Sequence, residues 1–136
     1  MQTPANRPQP FTKGMYLTLQ TEEIAITAVA IYFLTKNSLG LSFWVWAILF
    51  FSPDISMLGY LMGEKTGAFF YNLFHHRGIA LAFTAIGFFF QIPVLTSIGL
   101  LLFAHSSFDR MLGFGLKYTD SFQHTHLGWG GKETHS

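Results

Sequence analysis

Residues 78–107 read GIALAFTAIGFFFQIPVLTSIGLLLFAHSS, 30 consecutive positions without a fixed charge. As a single helix they would extend about 45 Å, against a bilayer hydrocarbon core of about 30 Å. The stretch must therefore turn back on itself, and Gln91-Ile92-Pro93 supplies the break, since proline opens helices and cannot continue them. Two spans result, over residues 66–90 and 93–113. Toward the N-terminus, residues 39–63 form a 25-residue apolar stretch interrupted at Ser52-Pro53-Asp54, which predicts two stacked half-helices or one kinked helix. Before that, the apolar run 24–34 has only 11 residues, but a span starting at Tyr16 has 19 and suffices. That start places Glu22 and Glu23 inside the first span. Thr35-Lys36-Asn37-Ser38 is a turn of capping and bending residues. The apolar runs are continuous rather than alternating, which argues against strands.

Composition points the same way. Of 136 residues half are hydrophobic, 16 are Phe and only 11% are charged, where a soluble domain carries about a quarter. The mean hydropathy is +0.35. A soluble domain this small lacks the interior to hide so much apolar surface. The fold class expected is all-α, a polytopic membrane four-helix bundle over residues 16–116 whose partner is the lipid bilayer. Residues 1–15 form a mobile N-terminal tail, and residues 117–136 a polar C-terminal tail. A three-span arrangement, with residues 64–77 lying in the interface, is the alternative. The absence of cysteine excludes a disulfide scaffold, thiolate metal sites and thiol catalysis. A net charge of +1 argues against a nucleic-acid partner, and oligomeric state is not legible. Basic residues set the orientation. Arg7, Lys13, Lys65, Lys117 and Lys132 share one side, with Arg110 at the end of the fourth span, and Lys36 stands alone on the other. The positive-inside rule then places a multi-pass protein in the inner (plasma) membrane with both termini cytoplasmic.

Polar groups inside a bilayer cost about 2.5–3.5 kcal/mol per charge at a helix centre, so each requires an explanation. Asp54, His75, His76, His105, Asp109, Glu22 and Glu23 all fall in the cytoplasmic half of their spans, while the other half is nearly all Phe, Ile, Leu and Val. His105 and Asp109 are four apart and share a helix face, as do Asn72 and His76, with His75 three from Asn72. Inward His and carboxylate pairs are how helical bundles hold metals. Asp54, His75, His105 and Asp109 are the expected ligands and catalytic residues, supported by Asn72, Arg77 and Glu22. Imidazole and carboxylate without thiolate suit Zn, Mn or Fe, and a metal-activated water would make the protein a hydrolase of a lipid or lipid-linked substrate. Other readings stay open. Asp54 also suits a helix cap, and His105 with Asp109 a hydrogen-bonded pair joining helices. A non-catalytic protein with a structural His/Asp/Arg ion-pair network is one alternative, and a haem held between His75 and His105 another. Arg77 should pair with one of the site carboxylates, and Arg110 should snorkel to the interface. Of Glu22 and Glu23, at most one reaches the site. His124, His126 and His135 default to solvated tail residues, and Gly59, Gly63 and Gly67 to packing surface.

Ser52-Pro53-Asp54-Ile55-Ser56-Met57-Leu58-Gly59-Tyr60, Tyr71-Asn72-Leu73-Phe74-His75, the run from Ala104 through His105 and Asp109 to Lys117, and Thr125-His126-Leu127-Gly128 resemble the DUF4260 family of small bacterial membrane proteins. The resemblance covers about residues 20–130 and implies no activity. It favours His75 over His76 and makes His126 a conditional fifth ligand, if the tail folds back beneath the bundle. Pro53-Asp54, His76-Arg77-Gly78 and His105 to Asp109 also resemble, in order, motifs of membrane-bound metal-dependent hydrolases. Ser56 and Leu81 depart from that pattern, which favours His76 instead.

Overall fold

A computed structural model gives the fold and describes residues 12–117, 124–125 and 127–129. The first helix, α1, runs over Lys13–Lys36, opened by Thr12, whose hydroxyl accepts from the Met15 amide at 3.2 Å. Leu39 and Gly40, with φ of 57° and 74°, reverse the chain. Ser42 then caps α2, Phe43–Phe50. Pro53 ends regular α geometry there, and the chain tightens into a 3-10 segment over Ser52–Met62. Gly63 turns it at φ 114°, a conformation strained for any side chain, into α3, Glu64–Phe74. Next come α4, Arg77–Phe89, and α5, Pro93–Met111, joined through Gln91 and Ile92 as the proline predicts.

The third expected span, residues 66–90, is not one helix. It breaks at His75-His76, because the His76 ring accepts the Ile79 amide at 3.1 Å and so restarts the helix as its N-cap. Gly78 permits this, since a Cβ there would lie 2.7 Å from the His76 ring. The 11 and 13 residues of α3 and α4 would each reach only about 16–20 Å. Among the described residues, two segments are long and apolar enough to cross a membrane, Lys13–Lys36 and Phe43–Met62.

The centre of the bundle is α5. Antiparallel α1 is tied to it at both ends, by Gln20 Nε2 donating to the Met111 carbonyl at 2.7 Å and by Ser97 donating to the Asn37 carbonyl. Antiparallel α4 meets it through Gly87 against Thr96 and Gly99 against Thr84. The 3-10 segment and α3 pack as a hairpin where Gly59 and Gly67 approach. The interior is small and polar, with Ser97, Ala104, Ser106, Ser107 and His105 essentially inaccessible, and among the described residues Leu34, Leu100 and Leu101 form a buried apolar cluster against which Trp46, Leu49 and Phe50 pack. Large side chains face outward instead: Trp44, Ile48, Leu61, Met62, Phe88 and Phe89 are each about three-quarters exposed or more. Apart from two-residue strands, β1 (His124–Thr125) antiparallel to β2 (Gly128–Trp129), the described fold is all-helical. Thr125 also bridges to Lys117, and Leu127 is buried.

Candidate metal centre

Pro53 creates the site's first component. It has no N–H, so the Phe50 carbonyl three residues earlier finds no 3-10 donor, and the Asp54 amide bonds Phe51 instead, at 3.2 Å. An orphaned carbonyl away from water needs a partner. His105 supplies it, with Nδ1 2.6 Å from the Phe50 oxygen. The second component arises at the α3 break, where His75 folds back and places Nδ1 2.8 Å from the Tyr71 carbonyl. A carbonyl only accepts, so both rings carry their proton on Nδ1 and turn Nε2 the other way.

Both Nε2 atoms meet the same two carboxylates. His105 Nε2 lies 3.1 Å from Asp54 Oδ1 and 3.3 Å from Asp109 Oδ2, and His75 Nε2 lies 3.4 Å and 3.1 Å from those oxygens. All four donor atoms lie within 4.8 Å of one another. Four ligands at about 2.0–2.1 Å in a tetrahedron stand about 3.3 Å apart, which matches the His–Asp separations. His75 Nε2 is buried with no hydrogen-bond partner, although both carboxylate oxygens lie within 3.4 Å of it. Histidines that ligate metals are oriented in this way, by the other ring nitrogen bonding a carbonyl. The donor set therefore fits a divalent ion. His75 and His105 are almost fully buried and Asp109 nearly so, whereas the Asp54 side chain is 34% exposed and marks the open side.

Tyr71 and Lys117, unmarked as site residues in the sequence reading, complete the surroundings. The Tyr71 hydroxyl donates to Asp109 Oδ2 at 3.3 Å, and its ring stacks on His75 at 3.9 Å. The Lys117 ammonium sits 4.7 Å from the Tyr71 ring centre, a cation–π contact. Burial pushes this ammonium down to about 8 from the usual lysine range, with Asp109 and Asp54 pulling the other way. Tyr71 lies one turn before His75, so helical spacing could have flagged it; Lys117 had no such signal.

The other expected residues fall differently. Asn72 holds the tail instead of the site, donating to the Lys117 carbonyl at 2.8 Å and accepting its amide at 2.6 Å. Arg77 does not pair with Asp54 or Asp109. It donates to Glu23 at 2.7 Å, because α4 starts facing α1, and α5 separates it from the cluster. Glu22 is exposed and supports nothing; one residue of helix phase buries Glu23 instead. His76 is exposed as the α4 cap, so His75 is the histidine of the site. His126 and His135 lie outside the described residues, as does the side chain of His124. A haem between His75 and His105 does not fit: the ring centres are 5.0 Å apart and the rings touch edge to face, leaving no space for a macrocycle.

The fold and cluster define an all-helical protein with two buried histidines and two aspartates converging on one point. The chain belongs to the DUF4260 family, a domain of unknown function whose pattern matches residues 16–129. No curated protein and no solved structure matches it.

Proposed function

We propose that this protein is an integral membrane metalloprotein that binds one divalent ion through Asp54, His75, His105 and Asp109, and hydrolyses a lipid or lipid-linked substrate. The observation carrying the reading is the convergence of two buried, Nδ1-anchored imidazoles on two carboxylates at ligand spacing. Bound there, a zinc, manganese or iron ion would supply Lewis acidity and lower the pKa of water in any open position. The chain's own residues do the rest. Phe50 and Tyr71 carbonyls fix the histidine tautomers, and Tyr71 holds Asp109 by its hydroxyl. Asp54, the most exposed ligand, faces the side from which substrate enters.

Two features support a bilayer setting and a lipid substrate. The arrangement of side chains is inverted relative to a soluble protein, with serine, histidine and glutamate inside and phenylalanine and leucine outside. Exposed apolar area on this scale exceeds the patches soluble monomers tolerate. Beside the cluster, an apolar groove of about 510 Å³ runs between α1 and α2 past Ile31, Leu41 and Trp46 to Phe50, Phe51 and Phe108. Phe50 and Phe51 also pack on the His105 ring, so the groove ends at the site and suits an acyl or prenyl chain. The four-span arrangement with cytoplasmic termini belongs to the same proposal, with α3 and α4 forming one broken span.

Metal analysis of the purified protein tests the centre. About one equivalent of zinc, manganese or iron per chain is expected, lost in Asp109→Ala and His105→Ala with helicity retained. A wild-type protein that binds none of these ions at micromolar concentrations would leave a structural ion-pair network, two imidazolium and two carboxylate charges joining the helices. Reporter fusions after Lys36 and Gln91 should read outside, and after Lys65 and Ser136 inside; an outside reading at Lys65 ends the four-span topology.

A further inference from the structure

A second cavity, lined by apolar surface together with three charged side chains, lies across α5 from the His/Asp cluster. At about 100° per residue, Ser107 and Arg110 point roughly 140–160° away from His105, on the α1 side of the helix. There, about 280 Å³ is enclosed by Tyr16, Gln20, Glu23, Arg77, Arg110 and Leu127. Arg77 is committed, donating to Glu23 at 2.7 Å and to Ser107 at 3.4 Å. Arg110 is not. Among the described residues no carboxylate lies within 4 Å of its guanidinium, although the side chain is only partly exposed. The sequence reading made Arg110 a snorkelling residue, yet it lines a cavity beside another arginine.

Among the described residues, the charges in that wall do not balance. Two guanidinium groups face one carboxylate, leaving one net positive charge held against a low-dielectric interior. A partly desolvated cation of this kind calls for an anion, and guanidinium favours planar or tetrahedral oxyanions that it can grip with two N–H groups. One net positive charge is neutralised by a monoanion. A phosphodiester carries one charge, whereas phosphate monoesters carry about 1.5–2 near neutral pH. The cavity falls just short of the about 300–1,000 Å³ that drug-sized ligands occupy, a size for a headgroup with its chains outside. Its height agrees. Arg110 lies in the last turn of α5, and Tyr16 and Gln20 in the first turns of α1, so the cavity opens at the end of the bundle.

We propose that Arg110, with Arg77 beside it, binds the phosphodiester of a bilayer phospholipid in this cavity, a lipid anchor separate from the metal centre. The lipid source of the phosphodiester rests on the bilayer reading above; the anion chemistry stands on the cavity alone. The headgroup ties α1, α4 and α5 together beside Glu23, whose direct ion pair is with Arg77.

The test uses the full chain in neutral detergent, with dihexanoyl-phosphatidylglycerol as the probe. Wild-type protein should bind it saturably at one site, and Arg110→Gln should weaken binding about tenfold or more, the loss expected for charge-assisted hydrogen bonds. Gln20→Glu, which adds the missing negative charge inside the cavity, should weaken it comparably and covers the case in which Arg110→Gln fails to fold. Dihexanoylglycerol, which lacks the phosphate, should show no saturable binding. Wild-type affinity in both variants would overturn the proposal. Equal affinity for inorganic phosphate would overturn the lipid source, assigning the cavity to a free oxyanion. Metal content measured on the same preparations separates the two sites: probe binding in metal-free protein counts against the His/Asp reading alone, and metal retained without probe binding counts against this one.

Discussion

Adding one methyl group at Gly99 should damage both the helix contact and the site at a distance. A Cβ there would lie 2.5 Å from the Thr84 amide nitrogen and 2.6 Å from the Ala80 carbonyl oxygen, and would collide with the Thr84 hydroxyl. Ordinary carbon contacts begin near 3.4 Å, so α4 must retreat by about 0.9 Å. Two of these atoms are helix backbone and cannot rotate aside. Overpacking of this sort costs about 1–3 kcal/mol. Gly99 is six residues from His105, about 9 Å along α5, and α4 begins two residues after His75. A retreating α4 therefore pulls His75 from His105, while metal ligation tolerates only about 0.2 Å. Gly99→Ala should lower the unfolding midpoint by several degrees and weaken metal binding about tenfold or more, read by chelator competition. Gly14→Ala is the control, because its Cβ meets nothing closer than the Thr12 hydroxyl at 4.0 Å and alanine favours the helix. A Gly99→Ala protein with wild-type midpoint and metal affinity would refute the close α4–α5 contact and its coupling to the site.

The two adjacent histidines should separate cleanly. His75→Ala should abolish metal binding, whereas His76→Ala should cost about 1 kcal/mol of stability through the lost cap and leave metal content unchanged. Arg77→Met strands the buried Glu23 carboxylate and should destabilise by about 3 kcal/mol, most of it recovered in the double variant with Glu23→Gln; equal destabilisation of single and double variants would count against the pair. Lys117 gives a pH signature. Its folded pKa, about 8, lies below the usual 10.5, so the unfolded chain binds more protons between those values and stability should rise with pH across that window. The gain is at most about 3 kcal/mol, visible in chemical denaturation from pH 8 to 10 and absent in Lys117→Met. Asn72→Ala, which removes two hydrogen bonds to the Lys117 backbone, should speed proteolysis of the C-terminal segment; an unchanged rate would deny the latch.

The grouping of the site's four residues was legible in the sequence. Asp54, His75, His105 and Asp109 sit at matching distances along their apolar segments, and the fold joins all four. Proline marked the turn at Gln91 and the disruption at Ser52, though not that the continuation would be 3-10. Helix phase was harder to read. Glu22 and Glu23 differ by about 100° of rotation, and only the packing of α1 on α5 decides which is buried. The same limit sent Arg77 to the wrong carboxylate. His75 and His76 straddle a helix end, where periodicity stops carrying information. Lys117 was invisible for another reason: its burial depends on a tail whose polar composition resembles that of any solvated segment, and on a latch made by backbone atoms.

In the bilayer setting proposed above, the Phe50 carbonyl left without a donor by Pro53 would constrain how the chain is assembled. A bilayer interior offers no water to satisfy such a group, and each one left unpaired is costly. Segment Phe43–Met62 is synthesised before α5, which carries the imidazole that relieves it. Until α5 arrives, that segment is better placed off its final depth, with the carbonyl near the headgroups. On the proposed four-span reading, completing the second crossing would wait for the fourth. A ribosome-stalled chain ending before residue 105 should hold its first half in a shallow, exchange-accessible state, recognisable to quality-control proteases as an orphan.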